Sequence, residues 1–320
     1  MSVRIQKSFA QEVGTLYLVP TPIGNLEDMT FRAVKTLQTV DLIASEDTRN
    51  TQKLLNHFEV KVGQKSLHEH NYNERIPELL AFLKSGRSIA QVSDAGMPSI
   101  SDPGHELVVA CIEEDIPVVA LPGATAGMTA LIASGLMPQP FYFYGFLQRK
   151  KSTQKKELAE LKNQTATMIF YESPHRIKET VKNMLEVFGN REVVICRELT
   201  KLYEEYLRGT AEEVIDYLSE HSLKGECCLL VSGTTEKVEE EIFEGSLKEQ
   251  VDVLVLDGES SKEAIKTVAK RHGLKKQEVY KEYHGSVSYT HLDVYKRQKK
   301  RSIKNITDCK SRKFFLLFLC

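Results

Sequence analysis

Over the first 136 residues, short apolar runs alternate with segments whose apolar positions recur every three or four residues, the signatures of buried strands and amphipathic helices. Strands are predicted at 14–20, 41–44, 87–92 and 116–121, each followed by a loop carrying Gly, Pro or charge and then by a helix. Thr30 is placed to cap a helix in which Phe31, Val34 and Leu37 share a face. Lys53, Leu54, Leu55 and Phe58 belong to a second helix. A third, over 105–112, is expected to start with Asp102 as its cap and Pro103 at the first helical position. A fourth ends at Gly135. Repeated strand, loop and helix predict a mostly parallel sheet whose loops share one crevice at the carboxyl ends of the strands.

Pro138 and Pro140 oppose both helix and central strand, so 137–140 reads as a linker. The alternation then restarts. Strands are predicted at 141–146, 167–171, 192–196, 203–207 and 226–231, with helices over 154–161, 175–188 and 211–218, the second of these begun by Ser173 and Pro174. The expected organisation is two α/β domains, at 14–136 and 137–234. A small helical domain follows at 245–284, where Ser260 caps one helix and Gly273 separates it from the next. Two short helices across a glycine suit a helix-turn-helix or a packing appendage.

Charge adds an asymmetry. The 320-residue chain has a net charge of −1, yet residues 286–320 hold nine Lys or Arg against Asp293 and Asp308. That balance of +7 leaves −8 elsewhere, so nucleic-acid binding by the body of the protein needs a local basic patch. The segment from Ser286 to Gln298 reads as translated adaptor sequence, and the tail to Cys320 is set aside as non-native. A hydrophobic content of 41% with 27% charged residues is ordinary for a globular protein, and no stretch has the apolar length of a membrane span. Met1 to Gln11 lacks the apolar core of a signal peptide, and the six cysteines show neither zinc spacing nor a dense disulfide framework. A reduced, cytoplasmic protein is expected.

The loop from Ser93 to Gly104 bears the strongest chemistry, with glycines that admit close backbone approach and prolines that fix its shape. No G-x-G-x-x-G follows the first strand, which disfavours a nicotinamide enzyme. His68 and His70 would share a strand face but lack further ligands, so no metal site is expected. Arg149, Lys150 and Lys151, with Lys155 and Lys156, form the densest basic run before the tail and are candidates for RNA contact, as is Arg176.

Taken together, Thr21 to Leu26, Ser45 to Arg49, Ser93 to Gly104, Leu121 to Ala124 and Tyr171 to Arg176 resemble the tetrapyrrole methylase superfamily, and within it the branch acting on small-subunit ribosomal RNA. The resemblance runs from about Gly14 to Tyr283. It implies two α/β domains with S-adenosylmethionine held in the cleft between them, usually in a homodimer. It also implies methylation of a cytidine ribose 2′-oxygen in the decoding region of the small ribosomal subunit. By this resemblance the cofactor cleft is lined by Pro22, Gly24, Asp94, Gly96, Pro98, Ile100, Ser101, Thr125, Ala126, Tyr171 and Glu172. Gln148 stands where the resemblance leads one to expect a proline. Glu46, Asp47, Arg49, His175 and Lys201 are the candidates for assisting loss of the hydroxyl proton, and sequence does not choose among them. Two other functions keep a place: methylation of a tetrapyrrole carbon, and a non-catalytic RNA-binding assembly module.

Overall fold

A computed structural model of the chain describes residues 3, 5–8, 14–235, 245–256 and 258–285. The tail at 286–320 lies outside them. The chain divides into two compact units, with the break between Val238 and Glu239.

Among its described residues the first unit contains two five-stranded sheets. In the first, β1 (Leu16–Leu18), β2 (Leu42–Ser45), β3 (Gln64–Ser66), β4 (Ile89–Val92) and β5 (Val118–Ala120) lie in the order β3-β2-β4-β1-β5. Every pairing is parallel, with Leu16 opposite Ile89 on one side and Val118 on the other. All residues of β2 and β4 are buried, as expected of parallel strands covered on both faces. The covering layers include α1 (Phe31–Thr39), α2 (Thr48–His57), α3 (Tyr72–Lys84) and α4 (His105–Glu113). Two apolar clusters result, one around Val19, Leu37 and Ile43 and the other around Leu16, Leu79 and Leu107.

Three expectations change here. Thr30 does cap α1, accepting from Ala33 N, but Phe31 is 98% exposed and the buried face is Ala33 and Leu37. Asp102 does not cap α4. The helix begins at His105 behind Gly104, whose φ of +124° places the turn two residues later, and Asp102 is left at the crevice. His68 to His70 form a turn after β3 rather than a strand face, and no group of three potential metal ligands occurs among the described residues.

Helix α5 (Ala126–Ser134) ends at left-handed Gly135 as expected. The second sheet contains β6 (Phe141–Phe146), β7 (Thr167–Glu172), β8 (Glu192–Arg197), β9 (Glu205–Thr210) and β10 (Cys227–Val231), in the order β6-β7-β10-β8-β9. Only β6 and β7 run parallel. One face packs on α6 (Lys151–Leu161), α7 (Ile177–Phe188) and α8 (Ala211–Glu220) through Phe170, Val181 and Leu229. The other packs on α5 through Ile169, Cys196 and Leu230. Helix α7 starts at Ile177 rather than His175, because residues 174–176 form a turn in which Ser173 O accepts from Arg176 and Ile177 N.

Among its described residues the second unit has three helices where two are predicted: α9 (Leu247–Leu256), α10 (Ser261–Arg271) and α11 (Lys276–His284). They bury Val251, Ile265, Val268 and Val279 against one another. Ser260 caps α10 by accepting from Glu263 N. Tyr283 donates to Asp252 at 2.9 Å, tying the last helix to the first.

Among the described residues no helix is long and apolar enough to cross a membrane.

Candidate active site

Strand order in the first sheet reverses beside β1 and β4, the place where open α/β sheets form a crevice at the carboxyl ends of their strands. The loop after β1 and the loop after β4 are joined by reciprocal backbone hydrogen bonds between Thr21 and Gly96, each 3.0 Å long. Two hollows lie beside this bridge.

The larger hollow has a volume of about 740 Å³ and lies between the two sheets. Ile23, Gly96, Ile100, Ser101 and Asp102 border it from the first sheet, Thr125 and Ala126 from the start of α5, and Tyr171 and Glu172 from β7. Strand register carries this wall further: Tyr171 stands opposite Cys228, and Cys228 opposite Cys196, and all three line the hollow. Phe143 and Phe146 pack edge-on against Tyr171, with ring centroids 5.2 and 5.4 Å away, to make an aromatic side. The Tyr171 hydroxyl accepts from Gly127 N at 3.3 Å, and burial pushes its acidity down.

The smaller hollow, about 180 Å³, is bordered by Thr21, Pro22, Gly24, Leu26, Asn50, Thr51, Leu54, Ser93 and Asp94. Pro22, Gly24 and Asp94 are therefore placed here rather than around the larger hollow with Gly96, Ile100 and Ser101. Buried Pro98 borders neither hollow.

The five candidates for proton transfer separate clearly. Glu46 follows β2 and accepts from Asp94 N at 3.3 Å; burial, then the charge of Asp102, raise its pKa. Burial raises the pKa of Asp102 also. Asp47 caps α2 and takes two side-chain hydrogen bonds from Arg49, which hold its pKa down at about 2. Arg49, unexplained by helix-dipole preference, is thus the partner of the cap. Lys201 is held 2.9 Å from both Glu198 and Glu226, and although burial works against its charge, these bonds raise its pKa. His175 is exposed, and its backbone N–H reaches Ser173 Oγ at 3.4 Å.

Glu172 is 4% exposed and accepts from Thr180 Oγ1 at 2.7 Å and Ser173 N at 2.8 Å. Its ion partner is Arg176, 3.3 Å away, which also donates to the carbonyls of Leu147 and Gln148. Arg176 accordingly fastens the loop after β6. In the basic run, Lys151 pairs with Glu179 and Lys155 with Glu186, while Arg149 and Lys150 are exposed at the start of α6.

Residues 15–215 match the family described as tetrapyrrole (corrin/porphyrin) methylases. The chain belongs to the tetrapyrrole methylase family. It is therefore a methyltransferase, with the family's paired α/β sheets. Among its relatives, a protein of Streptococcus pyogenes serotype M18 is 56% identical over 285 residues, covering 88% of this chain and 99% of the relative. One from Bacillus subtilis is 52% identical over 288 residues, again 88% and 99%. Both are named ribosomal RNA small subunit methyltransferase I. The fold is shared with a cobalt precorrin-4 methyltransferase of cobalamin biosynthesis, at a TM-score of 0.53 and 18% identity, covering 68% of this chain and 94% of that one. It is also shared with a Thermus thermophilus uroporphyrin-III C-methyltransferase solved with S-adenosylhomocysteine, at 0.50 and 17%, covering 68% and 97%.

Within the tetrapyrrole methylase fold, sequence reasoning missed Cys196, Cys227 and Cys228 as cavity residues. Their apolar strands read as core, and only the cross-strand register brings them to the hollow. Asp102 reads as a cap in sequence because Asp followed by Pro suits that role.

Proposed function

We propose that the protein transfers a methyl group from S-adenosylmethionine to small-subunit ribosomal RNA, at the 2′-oxygen of a cytidine ribose, acting in the cytoplasm as a homodimer. The observation that carries this reading is the match along 99% of the length of relatives named for that RNA substrate. The i and i+4 pair Met128 and Ile132 exposes apolar surface on α5 that a second copy would cover.

The residues present suit the cofactor. A hollow of about 740 Å³ falls in the range of roughly 300–1,000 Å³ typical of small-molecule sites. Gly96, at φ +77°, keeps one wall open where a side chain would press to 3.3 Å from Ile23 Cγ2. Ser101, Asp102 and Thr125 offer oxygen atoms to a ligand with ribose hydroxyls and positive charge, and Ile23, Ile100 and Phe143 offer apolar contact. When bound, the cofactor supplies an electrophilic methyl on a sulfonium.

The chain's own part is to align the acceptor and to take up its proton. Glu46 suits the second task best: it accepts from the N–H of Asp94, which borders the smaller hollow, and its raised pKa makes it a stronger base than Asp47, which Arg49 holds at about 2. Lys201 carries a proton stabilised by two carboxylates, so it positions the loop rather than acting as base.

The test uses the full chain, tritiated S-adenosylmethionine and small subunits from cells lacking this modification, followed by nucleoside analysis. Label in 2′-O-methylcytidine is expected. Label on a base, or transfer to a tetrapyrrole with none to the subunit, would overturn the reading.

A further inference from the structure

The smaller hollow is left unused by the cofactor reading. It shares both loops with the larger one: Ile23 borders the larger and Gly24 the smaller, and Ala95 the larger and Asp94 the smaller. A ligand there would lie across the Thr21 to Gly96 bridge from the cofactor hollow, with Glu46 linking the two through Asp94 N and the field of Asp102.

Its size and chemistry restrict the ligand. At about 180 Å³ it falls below the range of roughly 300–1,000 Å³ for whole small molecules and suits one aromatic ring. Pro22, Leu26 and Leu54 supply apolar contact. Thr51 is 4% exposed, yet its hydroxyl has no hydrogen-bond partner among the described residues. A buried hydroxyl without a partner is costly unless a ligand supplies one. Beside it, Asn50 Nδ2 donates to Asp94 Oδ2 at 2.8 Å, so a donor and an acceptor sit together at the hollow's edge.

We infer that this hollow receives the base of the acceptor nucleotide, a single-ring pyrimidine, and that Asp94, Asn50 and Thr51 read its polar edge. The inference rests on the reading of the protein as a ribose methyltransferase. Cytosine presents an amino donor followed by two acceptors, a ring nitrogen and a carbonyl oxygen. Asp94 can accept from the amino group, while the Asn50 amide and the Thr51 hydroxyl can donate to the other two. Uracil turns an oxygen toward Asp94 and an N–H toward the Asn50 donor, so both contacts become repulsive. Enzymes that act on a nucleotide drawn out of a stack commonly hold its base in such a snug pocket.

The experiment compares the full-length protein with Thr51→Val, Asn50→Ala and Asp94→Asn, on unmodified small subunits bearing cytidine or uridine at the methylated position. Thr51→Val keeps the shape and removes an unpartnered hydroxyl, so a purely structural role would leave turnover unchanged or raise the melting temperature. On the inference it lowers kcat/KM for the subunit roughly tenfold while S-adenosylhomocysteine affinity, measured by calorimetry, stays within about twofold. Asp94→Asn is expected to shift preference from cytidine toward uridine, since an amide can donate where the carboxylate cannot. Unchanged kcat/KM in Thr51→Val and Asn50→Ala, or losses that follow S-adenosylhomocysteine affinity, would overturn the pocket assignment alone. No transfer by the unaltered protein would instead sink the functional reading beneath it.

Discussion

A Cβ built on Gly24 would lie 2.5 Å from Cγ of Lys201. The contact joins the loop after β1 to the loop after β8, and Leu199 O, 3.0 Å from the same point, closes the remaining room. Lys201 cannot simply swing away, because its ammonium is tied to Glu198 and Glu226. Gly24→Ala is therefore expected to destabilise the protein by about 1–3 kcal/mol through overpacking. Adding Lys201→Ala should recover part of that loss, a coupling that denaturant melts of the single and double variants would detect. Strict additivity would show that the two loops do not press on each other.

Glu46 yields a prediction with a definite sign. Burial raises its pKa above the ordinary 4.5, so the folded protein binds this proton more tightly than the unfolded chain does. The stability linked to it is fully present below 4.5 and is lost as pH rises through the folded value. If Glu46 is the base, activity should run the other way, because a base must be ionised. The acidic limb of the pH profile of kcat/KM is expected above 4.5, and Glu46→Gln is expected to lower kcat by roughly 10²–10⁴-fold with the cofactor still bound. A Glu46→Gln enzyme with unaltered kcat would remove Glu46 from the chemistry.

Much of this arrangement is legible in the chain, and the exceptions have physical causes. Strand ends punctuated by Gly, Pro and charge announce the crevice, since those residues serve there for backbone reasons that leave a visible pattern. Helix α3 escapes the reading because Pro77 lies inside it and interrupts the usual helical signature. Phe31 misleads because its spacing with Leu37 implies burial, whereas the capped first turn aims it at solvent. The separation of the two hollows is invisible for another reason. Pro22 and Ile23 are adjacent in sequence, and only the Thr21 to Gly96 pairing puts the chain between one space and the next.

Glu172 borders the larger hollow and is at the same time held by a buried polar network. Its buried carboxylate takes bonds from Thr180 and Ser173, and Thr180 in turn accepts from Gln154, whose own carbonyl accepts from Asn183 at 2.5 Å. Glu172→Ala would strand Arg176 and the Thr180 hydroxyl. A loss of about 3 kcal/mol is expected, the low end for breaking a buried pair, because Arg176 keeps some contact with solvent. Chemical denaturation would measure it, and a change below about 0.5 kcal/mol, the scale of a surface substitution, would show that the network carries little of the fold's stability.

The basic run at the start of α6 can be divided by experiment. Lys151 already faces Glu179, so neutralising it removes a charge whose field is partly cancelled. Arg149 and Lys150 are exposed and stand ahead of those pairings. If the run meets RNA phosphates, Arg149→Ala and Lys150→Ala should each weaken subunit binding. Each should also flatten the dependence of log affinity on log salt by about 0.7–0.9, the release of one phosphate contact. Lys151→Ala should change that slope less. Equal slopes for all three variants and the parent protein, measured by titration across salt concentrations, would show that α6 does not contact RNA and would move the search to another face.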